Sequence, residues 1–396
     1  MPRFAERPAE FRWTIFTCAL ARLLVICAAI AGVPSLVRAD ATSPLVGDFT
    51  FGRDGRFIIL PVASADRHFL CLVDTGASVS AFDVSLKEAL GRQRGHKLLK
   101  TPAGHVRRET FDWPVVKLGS QPLQSEQPVV CLDLSEMRQA TNAEIYGVIG
   151  MDILRNCRVQ IDFDQGRLKF LESLPADRSA LGESISMPTG AGGTPQLVGR
   201  IGTDQAVRFV IDTGAQGNSL DAALFDDLVD EQLIQPGRSF ASLTIVGELR
   251  GQRGKLDSLT VGPFTQHGLR VSRINLNSVG LRYFSRYQVT FDFPGERLFL
   301  KRGAAYGRAE PAATSGLTIV WNNGEPTIET VRPKGAGAAA GLEPGDVLVR
   351  VSGHPATDFD PFALRELFTS TAGRKLPLQV RRAGRESAAE LVLEED

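Results

Sequence analysis

Phe69-Leu70-Cys71-Leu72-Val73-Asp74-Thr75-Gly76-Ala77-Ser78 is answered further along the chain by Val207-Arg208-Phe209-Val210-Ile211-Asp212-Thr213-Gly214-Ala215-Gln216. Each run is apolar and β-prone and stops at Asp-Thr-Gly-Ala, so each reads as a buried strand that carries a carboxylate to a tight turn. A carboxylate is costly to bury unless it is partnered. A single copy reads equally well as a turn Asp bonding its own backbone. Two copies suggest a pair. If the turns face each other across a pseudo-twofold axis, Asp74 and Asp212 lie too close to ionise together and share one proton. One carboxylate can then take a proton from a bound water while the other donates to a carbonyl. Gly76 and Gly214 let the turns pack closely. The hydroxyls of Thr75 and Thr213 can reach the opposite loop and hold the pair coplanar.

The two Asp residues are 138 positions apart. That offset, carried without gaps into the preceding hairpin, aligns Phe57-Ile58-Ile59-Leu60-Pro61-Val62 with Pro195-Gln196-Leu197-Val198-Gly199-Arg200. Downstream, the stretch from Gly150 to Phe163 aligns with Gly280 to Phe293 at an offset of 130. A repeat of this length is too long for a solenoid unit and suits a duplicated lobe.

The repeat resembles the retropepsin-like aspartic proteases: an Asp-Thr-Gly-Ala loop, a flap hairpin, and an apolar-apolar-Gly element at Val148-Ile149-Gly150. The resemblance implies two pseudo-symmetric acid-protease β-barrel lobes, 45–172 and 173–303, each giving one Asp and one flap. It also implies a polypeptide substrate held extended in the interlobe cleft. Since both halves lie in one chain, no dimerisation is needed to build a site. The flap tips are expected at Ala103 and Gly104 and at Val246 and Gly247, with an exposed His105 beside the first. Lobe two departs from the pattern: its element is Ser278-Val279-Gly280, Gln216 replaces Ser78, and it is about 13 residues shorter. An asymmetric site would prefer asymmetric substrates.

Residues 304–314 are rich in Ala, Gly and Pro and read as a flexible linker. Residues 315–396 follow as a small α+β unit. Its stretch Ala340-Gly341-Leu342-Glu343-Pro344-Gly345-Asp346-Val347-Leu348 resembles PDZ domains of bacterial envelope proteases. The resemblance implies capture of a peptide or protein C-terminus as an added strand. Ser315, Gly316, Leu317 and Thr318 would form the carboxylate-binding loop, and Ile319 would start the edge strand.

The remaining chain narrows the classes. With 45 basic and 45 acidic side chains among 396 residues, nothing argues for a nucleic-acid partner. Arg3, Arg7 and Arg12 precede an apolar stretch that ends at Val37-Arg38-Ala39, so 1–39 reads as a signal peptide for export to the periplasm or outside the cell. A membrane association is expected only if that segment is not cut. Cys71, Cys131 and Cys157 lack the spacing of a disulfide framework or metal site and read as buried small hydrophobes, with one bridge left open. No metal or other cofactor is expected. The expected function is an aspartic endopeptidase whose PDZ unit recruits or gates substrate. The alternatives are a catalytically inactive, protease-derived peptide-binding protein of the envelope and a structural envelope protein whose Asp residues only brace loops.

Overall fold

The computed structural model describes residues 45–395 except 52–56, 65–66, 102–103, 203–204, 245–246 and 311–312. The expected leader, Ala103 and Val246 therefore lie outside the described residues. The chain is mainly β, with two barrel-like sheets, a six-stranded sheet between them and a smaller sheet after them.

Each Asp-Thr-Gly loop is delivered by the same local arrangement. Strand His68–Val73 pairs antiparallel with Ile59–Ala63 and parallel with Ile145–Ile149. Strand Gln205–Ile211 pairs antiparallel with Gln196–Ile201 and parallel with Ser278–Val279. The first of these strands is apolar without alternation because both its faces are covered. Phe69, Cys71 and Val73 enter the main core, which continues through both lobes. Leu72 enters a smaller cluster with Val79, Ala81, Val130 and Val148 on the other face.

The lobes are stitched by strands Arg158–Asp162 and Tyr287–Asp292, which run antiparallel with Gln160 opposite Thr290. These two residues correspond at the 130-residue offset, so the pseudo-twofold passes between them. The side-chain contacts obey it: Arg158 Nε lies 3.1 Å from Asp292 Oδ1 at one end. At the other, Gln288 Nε2 donates to Asp162 Oδ2 at 3.0 Å.

The first hairpin corrects the ungapped alignment. Ile59 lies opposite Leu72, whereas Gln196 lies opposite Val210, so the first strand follows an offset of 137. The turn of the second hairpin is one residue shorter, because a surface turn absorbs a deletion that a strand cannot. Burial agrees: Leu60 matches Leu197, both 0% exposed, while Val198 is 46% exposed.

The flap hairpins are Gln93–Thr101 with Gly104–Phe111, and Ile234–Thr244 with Gly247–Val261. The strands of the second, 11 and 15 residues, are longer than those of the first, 9 and 8 residues. Gly104 has φ +123°, a value that leaves glycine strongly preferred at this tip. The polar segment before Ile145 forms a helix, Ser135–Thr141, with no counterpart in lobe two.

The linker expected to be flexible is held down where it is described. Tyr306 packs edge-on against Tyr287 and Phe264, with ring centroids 5.5 and 6.0 Å away. Glu310 Oε2 accepts the Arg270 N–H at 2.9 Å. Two anchoring side chains outweigh the loose composition around them.

The last unit has its own core, including Trp321, Leu342, Leu348 and Leu364. Its edge strand is Leu317–Asn322, starting two residues before Ile319, and its helix is Pro361–Leu367. The Pro-Gly-Asp turn is fixed by Asp346, buried and bound through both oxygens by Arg382 at 2.6 and 2.8 Å. Cys71, Cys131 and Cys157 are all buried and unbridged, and burial pushes each thiol up.

The hairpin register is testable by melting. Leu197→Ala should cost about 2–5 kcal/mol as a core truncation. Val198→Ala should stay within about 0.5 kcal/mol. The reverse order would restore the ungapped alignment.

Candidate active site

The Asp-Thr-Gly turns meet at the seam between the two lobes. Their contact is reciprocal. Thr75 N–H donates to Thr213 Oγ1 and Thr213 N–H donates to Thr75 Oγ1, both at 3.0 Å. Each hydroxyl then donates onward across the interface, Thr75 to Ile211 O at 2.6 Å and Thr213 to Val73 O at 2.8 Å. Four buried groups that would otherwise be costly are satisfied by one another.

This lock brings the two carboxyl groups together. A Cβ placed on Gly76 would lie 2.7 Å from Asp212 Cγ, and one on Gly214 would lie 2.4 Å from Asp74 Cγ. Only glycine permits that approach. Asp74 Oδ1 accepts the N–H groups of Gly76 and Ala77 at 2.8 and 3.1 Å. Asp212 Oδ1 accepts Gly214 N–H at 3.0 Å. Both carboxyl groups are pushed up, by burial first; for Asp212 the charge of Asp74 adds to it, and the loop amides oppose it. The Asp74 charge favours a proton on Asp212, the expected effect of setting two carboxyl groups this close.

The apolar-Gly elements support both loops from below. Asp74 N–H donates to Ile149 O and Asp212 N–H to Val279 O, each at 3.0 Å. Met151 N–H donates to Ala77 O at 2.8 Å and Leu281 N–H to Ala215 O at 2.9 Å. Asp74, Thr75, Gly76, Asp212, Thr213 and Gly214 thus form one cluster. Gly104 and Gly247 belong to the flap hairpins, and Ser315 to Ile319 belong to the separate last unit.

Three bracing residues escaped the sequence reading. In lobe one, Ser80 Oγ accepts Gly150 N–H at 3.0 Å and donates to Asp152 Oδ1 at 2.6 Å. Ser80 N–H donates to the same oxygen at 2.9 Å. In lobe two a single Asn218 does this work: its Oδ1 accepts Gly280 N–H at 3.2 Å. The signal was an acidic residue inside Val148-Ile149-Gly150-Met151-Asp152-Ile153-Leu154, where a charge has no place without a partner. Asp152 Oδ2 is buried with no hydrogen-bond partner, and burial pushes its carboxyl up.

Known proteins match parts of this architecture. The family pattern described as aspartyl protease matches residues 197–281, which include Asp212 and run to the residue after Gly280. The pattern described as PDZ domain matches 327–382. The chain carries an aspartyl protease domain and a PDZ domain. Among curated relatives, the regulator of sigma-E protease RseP of Escherichia coli (strain K12) is 32% identical over 77 residues. That stretch is 19% of this chain and 17% of the relative, so the protease–PDZ chain matches only a small part of that protein's length. Among solved structures, the photosystem II D1 C-terminal processing protease matches at 20% identity and a TM-score of 0.21, over 24% of this chain and 25% of that one.

Two measurements test how the protease domain is held. Thr213→Val removes a donor to Val73 O and an acceptor for Thr75 N–H, and should cost about 2–5 kcal/mol in chemical unfolding; Thr213→Ser should retain most of it. Asp152 holds its proton more tightly folded than unfolded. Its contribution therefore favours folding most below the unfolded value near 3.8 and fades as pH rises through the folded value. Asp152→Asn should flatten that decline, gaining stability on the parent from acid to neutral pH.

Proposed function

We propose that the chain is an aspartic endopeptidase. Asp74 and Asp212 act as one proton-sharing pair that activates a water for attack on a peptide carbonyl, with no covalent intermediate. The observation that carries this reading is the reciprocal Thr75–Thr213 lock, which holds two raised carboxyl groups side by side at the seam between the lobes.

In this reading one Asp accepts the water's proton while the other donates to the carbonyl oxygen, and the roles exchange on collapse of the tetrahedral species. The flap hairpins cover an extended polypeptide and exclude bulk water. The PDZ domain binds a peptide or protein C-terminus, substrate or regulator, by strand addition along Leu317–Asn322. The basic head, apolar stretch and Val37-Arg38-Ala39 support export to the periplasm or beyond.

Cleavage of an unstructured protein by the chain lacking residues 1–39, beside Asp74→Asn and Asp212→Asn, tests the pair. Both substitutions keep shape and should each lower the rate by about a thousandfold or more. An inactive parent, with or without PDZ ligands, would favour the peptide-binding alternative. Because burial raises both carboxyl groups, the one-proton form extends toward neutral pH. The rate should therefore survive near neutrality and fall on the alkaline side as the shared proton leaves. A profile confined to strongly acidic pH would contradict the raised pair.

A further inference from the structure

The helix Ser135–Thr141, the segment that lobe one has and lobe two lacks, lies against both walls of the PDZ groove. Its backbone packs on the edge strand Leu317–Asn322 and on the helix Pro361–Leu367, which also pack on each other. Among the described residues that strand is the outermost of its sheet and pairs only with Glu325–Val331. An added peptide strand would have to lie there.

Two further features describe a groove already closed. Leu317, Ile319 and Trp321 pack on the PDZ core, while Val320, which does not belong to that core, is still only 9% exposed. A side chain pointing off an edge strand is covered only if another element lies over it. In the expected carboxylate loop, Gly316 N–H donates to Thr314 Oγ1 and Leu317 N–H to Ser315 Oγ, both at 3.2 Å. The amides that would bind a carboxylate are engaged internally.

The covering helix is tied to strands of the sheet that carries Asp74. Arg138 donates to Asp83 Oδ2 at 2.9 Å and to Ile145 O at 3.1 Å, with its guanidinium 4.4 Å from the Tyr146 ring centroid. Asp83 ends strand Ala81–Asp83, and Ile145 opens the strand whose Ile149 O receives Asp74 N–H. The same helix packs on Ile234–Thr244, the outer strand of the second flap hairpin. Arg238 of that strand also pairs with Glu394 after the PDZ sheet, at 2.8 Å.

We infer that Ser135–Thr141 is an internal plug of the PDZ groove. It excludes a peptide carboxy terminus from the edge strand, and a peptide that enters must displace it. Displacement frees the second flap hairpin from the helix and so opens the cleft to substrate. The ligand class is an extended peptide with a free carboxylate and an apolar last side chain, facing Leu317, Ile319 and Leu367. The inference rests on reading the PDZ groove as a peptide site, and its test separates the two.

The chain without residues 1–39 is titrated with fluorescent peptides ending in a free Val, Leu or Phe carboxylate and with their amidated twins. Two variants undock the helix: Val320→Asp, which charges the covered face, and replacement of Ser135–Thr141 by a Gly-Ser segment of equal length. If the undocked groove is a minor state of the parent at about one part in ten, both variants bind the carboxylate peptides about tenfold more tightly. Saturating peptide should also speed amide exchange across 135–141 in the parent, and cleavage by the undocked variants should no longer respond to peptide. Equal affinity in parent and both variants would overturn the plug while leaving the groove a peptide site. No binding by any of the three would overturn the groove reading and the plug with it.

Discussion

Everything at the candidate site depends on two threonine hydroxyls that each serve the opposite lobe. Thr75 and Thr213 exchange backbone amide bonds and reach across to Ile211 O and Val73 O. Neither loop can shift without stranding a buried donor or acceptor in its partner. The interaction is cooperative: it forms whole or leaves several unsatisfied groups. The carboxyl groups are then brought together by backbone geometry, and the cost of crowding them is met by the same lock. Glycine at 76 and 214 is a consequence, since any larger residue would collide with the opposing Asp.

Away from that centre the halves are free to differ. The central strand pair preserves the correspondence of Gln160 with Thr290, and the ends echo it through Arg158–Asp292 and Gln288–Asp162. Farther out, one lobe braces its turn with Ser80 and a buried Asp152, the other with Asn218. Outside these, lobe one carries a helix and lobe two a longer flap. Symmetry holds where the halves touch, because there each contact is repeated at corresponding positions: Thr75 answers Thr213, and Arg158–Asp292 is mirrored by Gln288–Asp162.

Much of this was legible in the chain. Asp-Thr-Gly after an apolar, β-prone run reads as a strand ending in a tight turn, and an apolar-Gly element follows each copy, Gly150 at 76 residues after Asp74 and Gly280 at 68 after Asp212. The flap hairpins were visible, although their extents were not. Strand length depends on cross-strand partners far away in sequence. The ungapped match of Leu60 with Val198 failed because alternation tells inside from outside only once the pairing is known. The linker was misjudged on composition: Tyr306 and Glu310 find partners in lobe two that no local reading could supply. Asp152 lies within the aligned stretch from Gly150 to Phe163 but shows no role there, because a carboxylate needs a partner and Ser80 lies 72 positions away.

The cysteines carry a separate consequence. The three thiols among the described residues lie inside lobe one, without bridges, and burial favours their protonated form. A protonated, inaccessible sulfur neither attacks a disulfide nor yields readily to oxidants. Stability here comes from strand pairing and packing and owes nothing to a covalent crosslink. Within the described residues the fold therefore draws on no sulfur–sulfur bond, and the packing around Asp74 and Asp212 makes the same demands in reducing as in oxidising surroundings.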